Sequence, residues 1–282
     1  MKLLFLAWNR IKSWRRDYRA ISSVLLGIGL CLYNITRYFS FSNAVGTSVQ
    51  VFEAYIIAGS TAQIFLGLFL GNLLLISDAP FITPLSKYEI IRIGRRKWLD
   101  SQIIYIFLSC IVYSMILLFF TVFFSFLFCG VSLANTWSKA IYMLADSQPS
   151  FAANIFRISF PYPDFIHSTT PLYAVFLTLF FNSLYTIILG LCILLFNLLT
   201  SKNWGWVFAS ILHILGYIIY ANSGFFIPLR YSLLCCALPA YHFVSYLKMS
   251  FLYVLFLYTS IIAILLTCCK KVINKTEICR LW

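Results

Sequence analysis

Six long runs of apolar residues constrain this chain more than any other feature. An α-helix needs about 20 such residues to cross the hydrocarbon core of a bilayer, because each residue rises only about 1.5 Å. The runs predict six transmembrane helices, at residues 21–39, 55–76, 102–128, 172–199, 204–222 and 251–269. Helices are expected because every backbone polar group must be satisfied within the bilayer. The sequence therefore predicts an all-α membrane protein with one transmembrane domain, residues 1–282.

The composition excludes an ordinary soluble domain. The chain is 62% hydrophobic and only 10% charged, whereas soluble domains carry about 25% charged residues. The net charge of +13 would suggest nucleic acid as a partner of a soluble protein, but here the charges lie in short segments between the apolar runs. We interpret them as topology signals that contact anionic lipid, so membrane lipid is an expected partner and nucleic acid is not.

The distribution of basic residues predicts the orientation of the spans. If the N-terminus is placed in the cytoplasm, 16 of the 21 Lys and Arg residues lie in inner segments. The remaining five lie outside, and they are Arg37, Lys139, Arg157, Arg230 and Lys248. This bias follows the positive-inside rule and predicts that both termini are cytoplasmic.

Three segments outside the spans have predictable roles. Residues 1–20 place apolar and basic residues on opposite faces at helical spacing, which predicts an amphipathic helix in the inner interface. Residues 129–171 contain several prolines and predict an ordered outer cap. Residues 223–250 are too apolar for a solvated loop and too broken for a span. They predict short re-entrant outer helices before the last span.

The inner loop, residues 77–101, contains a pattern for a short helix. Ser86-Lys87-Tyr88-Glu89 matches a capping box, and Gly94 provides a stop. Such a helix is either a basic interfacial element or a docking element for a cytoplasmic partner. The candidate docking residues are Ser86, Lys87, Tyr88, Glu89, Ile90, Ile91 and Arg92.

Small and weakly polar residues form one stripe on the fourth span and one on the fifth. They are Asn182, Thr186, Gly190 and Asn197, followed by Gly205, Ala209, His213, Gly216 and Tyr220. Each stripe could line a path or a dimer seam. Packing between helices of one subunit is the favoured interpretation of each, because small residues let helices approach closely.

The sequence gives no pattern for catalysis. It contains no P-loop, no H-E-x-x-H and no G-x-S-x-G. Its His, Cys, Asp and Glu residues show no metal-ligand spacing. We therefore predict no catalytic residue, no metal and no cofactor on this chain, and do not expect an enzyme.

The order of these segments resembles the type-2 ABC exporter permeases, in particular small bacterial peptide, bacteriocin and drug exporters. The stretch from Ile90 to Trp98 is similar to the basic, tryptophan-ended stretch that opens the third span in that family. Thr170-Pro171-Leu172-Tyr173 before the fourth span is also similar. The resemblance covers nearly the whole chain, although its motifs are short.

The resemblance implies a function and partners. Residues 86–92 would be the coupling helix on a cytoplasmic ABC ATPase, which would bind the ATP and Mg, and residues 2–19 would be the connecting helix. A second permease chain, identical or paralogous, would complete the exporter in a bacterial cell membrane. The cargo would be a peptide or an amphipathic small molecule. The alternatives are a stand-alone membrane immunity or sensor protein and, as a third choice, an intramembrane enzyme.

Overall fold

The computed structural model describes residues 2–81, 86–128, 131–160, 162–200, 204–222, 229–244, 247 and 249–275. The helices of the first half are α1 (Lys2–Ser13), α2 (Tyr18–Val45), α3 (Glu53–Ser60), α4 (Ala62–Ile76), α5 (Ser86–Ile93) and α6 (Arg95–Phe128). Those of the second half are α7 (Lys139–Tyr142), α8 (Pro149–Phe151), α9 (Pro163–Ser168), α10 (Pro171–Thr200), α11 (Gly205–Ala221), α12 (Leu233–Ala237) and α13 (Phe251–Lys275). Two short strands, β1 (Val49–Gln50) and β2 (Val131–Ser132), pair in parallel.

Several helices are long and apolar enough to cross a membrane. Within the described residues these are α2, α6, α10 and α13, and the pair α3–α4 makes a fifth span if it is counted as one. The fifth predicted span, residues 204–222, corresponds to α11, an apolar helix of 17 residues. The helices support a membrane-embedded all-α protein. Six spans with both termini inside remain a prediction.

The single helix predicted over residues 55–76 is wrong, because two helices meet there at an angle of 87°. The break is at Thr61, whose backbone is extended (φ −99°, ψ 117°). Its hydroxyl donates to the carbonyl oxygen of Ile57 at 2.7 Å. A threonine side chain can compete in this way for a carbonyl of the preceding turn, which bends or ends a helix.

Helix α10 lies at the centre of the bundle. It packs against α3, α4, α6, α11, α12 and α13, and 67% of its most apolar window is buried. The corresponding window of α13 is only 11% buried, although that helix is equally apolar. Large side chains such as Phe119, Phe256 and Ile264 remain exposed on the bundle surface. Such an apolar exterior is typical of a protein surrounded by lipid.

Helix α1 lies along the start of α6 and contacts α5 through an ion pair. We call the end of the bundle that carries α1 and α5 the inner end. Leu4, Phe5 and Trp8 are exposed on α1, whereas Ala7 is buried. The helix predicted at residues 1–20 is therefore present up to Ser13, and it presents apolar side chains away from the bundle as an interfacial helix does.

The opposite, outer end is covered by a cap of short helices. Residues 139–168 contain α7, α8 and α9 together with two π-helical turns, at residues 143–147 and 152–156. The cap is joined to the bundle by the β1–β2 pair, in which Val49 lies opposite Val131.

Short helices also occupy the described part of the segment predicted as re-entrant. Helix α12 lies between two 3₁₀ turns, at residues 229–231 and 239–243, and packs against α10 and α11. Leu234, Cys235 and Cys236 are fully buried. Short helices are thus found where they were predicted, and their depth in a membrane remains a prediction. Residues 223–228, 245, 246 and 248 lie outside the described residues.

Candidate functional site

The short helix α5 is held close to the bundle by the residues that end it. Gly94 adopts a left-handed conformation (φ 83°), and its N–H donates to the carbonyl oxygen of Ile90 at 2.9 Å. Glycine is favoured in this position because it has no Cβ to clash. Helix α6 begins immediately afterwards and is fixed by Trp98, which is fully buried. The sequence pattern predicted both the helix and its stop.

The two faces of α5 differ strongly in exposure. Ile90 is 4% exposed and packs into the core, whereas Tyr88 is 72% and Ile91 81% exposed. Arg92 is exposed next to them, and further basic side chains are exposed at Arg95, Arg96 and Lys97. We call Tyr88, Ile91 and Arg92 the α5 patch. The side chains of Ser86 and Lys87 lie outside the described residues.

Glu89, another predicted docking residue, faces α1. Its Oε2 accepts a hydrogen bond from Nη2 of Arg10 at 3.4 Å, and both side chains are half-buried. Burial lowers the pKa of the Arg10 guanidinium, and the Glu89 carboxylate opposes that shift. Nearby, Nε1 of Trp14 donates to the hydroxyl of Tyr105 at 2.8 Å. Helices α1, α5 and α6 therefore form one connected unit at the inner end.

Truncation of Glu89 is expected to loosen this unit. In a double-mutant cycle, Glu89→Ala and Arg10→Ala should show a coupling free energy of about 1 kcal/mol. A partly buried hydrogen bond between charged groups contributes more to stability than an ion pair exposed on the surface. Thermal unfolding in detergent measures the coupling. The matched pair is His167 and Asp146 in the cap, 3.6 Å apart and mostly exposed, for which we expect no measurable coupling. Zero coupling at Arg10–Glu89 would show that the contact does not hold α1.

The two predicted stripes are packed inside the subunit. Eight of their nine residues are buried, and Tyr220 is half-buried. The buried residues of α11 are the stripe members Gly205, Ala209, His213 and Gly216. In this conformation both stripes therefore form helix–helix contacts, as the favoured interpretation expected. A role in lining a path or a dimer seam remains a prediction.

His213 is a hydrogen-bonded core residue. Its Nδ1 lies 2.8 Å from the hydroxyl of Tyr185 on α10, and its Nε2 lies 3.3 Å from the carbonyl oxygen of Leu66 on α4. The ring of Phe69 covers it, with centroids 4.2 Å apart. Both ring nitrogens thus have partners, and the side chain ties α11 to two neighbouring helices.

Asn197 connects three elements near the inner end. Its Oδ1 accepts a hydrogen bond from the N–H of Gly205 at 2.6 Å, which joins α10 to α11. Its Nδ2 donates to the carbonyl oxygen of Ala79 in the inner loop. Removal of a buried carboxamide that both donates and accepts hydrogen bonds lowers the stability of the fold, since each of its partners would lose a hydrogen bond. Asn197 therefore attaches the loop that leads to α5 to the two stripe helices.

A small cavity of about 30 Å³ lies between α3, α4, α6 and α10. Its lining includes the predicted Asn182 and Thr186, together with Asn72 and Ser114. Nδ2 of Asn72 and Oδ1 of Asn182 are buried, and neither has a partner among the described residues. The volume and these polar side chains suit one or two water molecules. The sequence analysis did not predict Asn72 as a site residue. Its only sequence feature is that it is a lone carboxamide within the second apolar run.

Comparisons with protein-family models, with curated proteins and with solved structures found no match for this chain. The resemblance to type-2 ABC exporter permeases thus rests on the order of the segments in the sequence and remains a prediction.

Proposed function

We propose that this chain is the membrane-spanning permease subunit of an ATP-binding-cassette exporter. A separate ATPase would bind ATP and Mg at the inner end, and two permease chains would form the path. The observation that carries the proposal is the α5 patch, since Tyr88 and Ile91 are largely exposed on a helix that is otherwise fixed to the bundle. Export, and a peptide or amphipathic cargo, come from the family resemblance.

The α5 patch has the features of a docking surface. Exposed aromatic and aliphatic side chains serve as the anchors of protein interfaces, and charged residues form the rim. Here the rim is basic and includes Arg92 and Lys97. The chemistry therefore favours a partner with an apolar pocket surrounded by acidic residues.

The connections of α5 support a mechanical role. The ion pair between Arg10 and Glu89 links α5 to α1, and Gly94 joins α5 directly to α6. Asn197 links the beginning of the inner loop to α10 and α11. A displacement of α5 by a nucleotide-dependent partner would thus be passed to several spans through packed elements.

Removal of the two apolar anchors is expected to release the ATPase. We expect the double variant Tyr88→Ala/Ile91→Ala to weaken binding about 30-fold, since we expect the two anchors together to contribute about 2 kcal/mol. A mild-detergent pull-down of the tagged chain from its own host, followed by mass spectrometry, measures the recovered P-loop protein. It also identifies a second permease chain as identical or paralogous.

The matched control is Tyr18→Ala/Ile21→Ala, which removes the same residue types at the same spacing from the inner end of α2. Tyr18 is 88% and Ile21 43% exposed. This control variant should recover as much of the ATPase in the pull-down as the wild type does. Equal loss from both double variants would contradict docking at α5. Recovery of the wild-type chain alone, from a preparation in which other complexes survive, would instead favour a stand-alone immunity or sensor protein.

A further inference from the structure

A groove of about 480 Å³ opens at the outer end of the bundle. Its walls come from one face of α2, from the first turn of α4 and from residues 153–159 of the cap. Arg37 on α2 marks its upper end and lies 18 residues, or about 27 Å, beyond Arg19 at the inner end. The groove is therefore far from the α5 patch, and its volume is in the range of ligand-binding sites.

The upper part of the groove is cationic. Arg37 and Arg157 both line it, and no Asp or Glu is among its lining residues. These are two of the five basic residues predicted to lie outside, although they are 120 positions apart in the chain. Two arginines that line one groove without a carboxylate present a site for an anion, because guanidinium groups donate paired hydrogen bonds to phosphate and carboxylate oxygens.

The side chain of Arg37 and the backbone of Arg157 are both held in place. Nη1 of Arg37 donates to the carbonyl oxygen of Arg157 at 3.3 Å, and its guanidinium carbon lies 3.7 Å from the ring centroid of Tyr33. Arg157 has a left-handed backbone (φ 52°), which is unfavourable for a residue with a side chain. The N–H of Ile158 donates to the carbonyl oxygen of Ala152 and supports this turn. The fold thus keeps an arginine in a strained position at the groove.

The lower part of the groove has apolar side chains on two facing walls, although Asn34 and Gln63 also line it. Leu30 lies on the same face of α2 as Arg37, two turns or about 10 Å closer to the membrane centre. Ile64 of α4 lines the facing wall. The groove therefore combines a cationic end with apolar contacts from Leu30 and Ile64 nearer the middle of the predicted span.

We propose that this groove binds an anionic amphiphile. Arg37 and Arg157 hold its phosphate or carboxylate head, and its apolar tail lies against Leu30 and Ile64. A lipid of the outer leaflet and a diffusing anionic amphiphile share this chemistry. The proposal does not depend on the exporter function, since the site is formed by this chain alone.

Binding can be measured with the purified full-length chain in nanodiscs of phosphatidylcholine. Phosphatidylglycerol is added to the bilayer in one series, and lysophosphatidic acid is added from water in another; native mass spectrometry counts the molecules retained. The double variant Arg37→Gln/Arg157→Gln should bind about 25-fold more weakly, since each arginine contributes about fivefold, or about 1 kcal/mol. Retention in the first series identifies a membrane lipid, and retention in the second alone identifies a diffusing ligand.

Two controls make the result specific. Arg230→Gln removes another predicted outer arginine, whose guanidinium lies 4.9 Å from the ring of Tyr231, and it should leave binding unchanged. Arg157→Lys keeps the charge and should retain most of the binding even if the double variant folds poorly. Equal binding by the wild type and the double variant, or an equal loss with Arg230→Gln, would overturn the proposal. If soluble glycerol phosphate, which has no tail, competed for the groove as well as the amphiphile does, the proposed role of the tail would be overturned.

Discussion

Replacement of Glu53 by glutamine is expected to lower the free energy of unfolding by about 3 kcal/mol. The Glu53 carboxylate is fully buried and accepts four hydrogen bonds, from the hydroxyl groups of Tyr38 and Ser138 and from the N–H groups of Gln50 and Ser138. Their lengths are 2.7, 2.7, 3.0 and 2.7 Å. A glutamine replaces one acceptor oxygen with an NH₂ donor that faces other donors, so buried donors lose their partner.

The loss should be local to the outer cap, because the Glu53 network joins α2, β1 and the start of α7. Thermal unfolding in detergent and limited proteolysis of the cap are the measurements, and cleavage within residues 131–168 should become faster. Asp164→Asn provides the control, since it makes the same chemical change at an exposed carboxylate of the cap and should leave both readouts unchanged. An unaltered melting temperature for Glu53→Gln would mean that the cap is held by other contacts.

Local patterns in the sequence predicted much of the helical structure. The apolar runs located α2, α6, α10 and α13 because chain length and hydrophobicity alone decide whether a helix can cross a bilayer. The capping-box pattern and Gly94 located α5, since helix ends are set by neighbouring residues. The stripe of small residues on α11 marked the face that is buried, because close helix contacts select small side chains.

Other features depend on partners that are distant in the chain. The break at Thr61 lies within an uninterrupted apolar run, and a single threonine does not by itself predict a bend of 87°. The sequence places Glu53 just before the predicted span 55–76 and gives no sign of its network, because its partner Ser138 is 85 residues away. The pairing of Arg37 with Arg157 spans 120 residues. Contacts of this kind follow from the assembled bundle and are absent from any local pattern.

The largest effect on the helix bundle is expected for Gly205→Ala, which should lower the free energy of unfolding by about 3 kcal/mol. A Cβ atom at this position would overlap the backbone carbonyl oxygen of Ile193 and would lie 2.8 Å from Oδ1 of Asn197. A backbone atom within α10 cannot move aside, so α10 and α11 would have to separate. The separation would also stretch the hydrogen bond between Asn197 and the N–H of Gly205, and with it the link from Asn197 to Ala79 of the inner loop.

Gly29→Ala is the matched control for Gly205→Ala, because a Cβ at residue 29 of α2 would meet no atom within 4 Å. This control should leave stability unchanged or raise it by up to about 1 kcal/mol, since alanine is the better helix former. The two variants add the same methyl group, so a difference between their melting temperatures in detergent isolates the α10–α11 contact. If Gly205→Ala also releases the cytoplasmic partner, the α10–α11 contact helps to position α5. If Gly205→Ala has the same melting temperature as Gly29→Ala, α10 and α11 are not in close contact at Gly205.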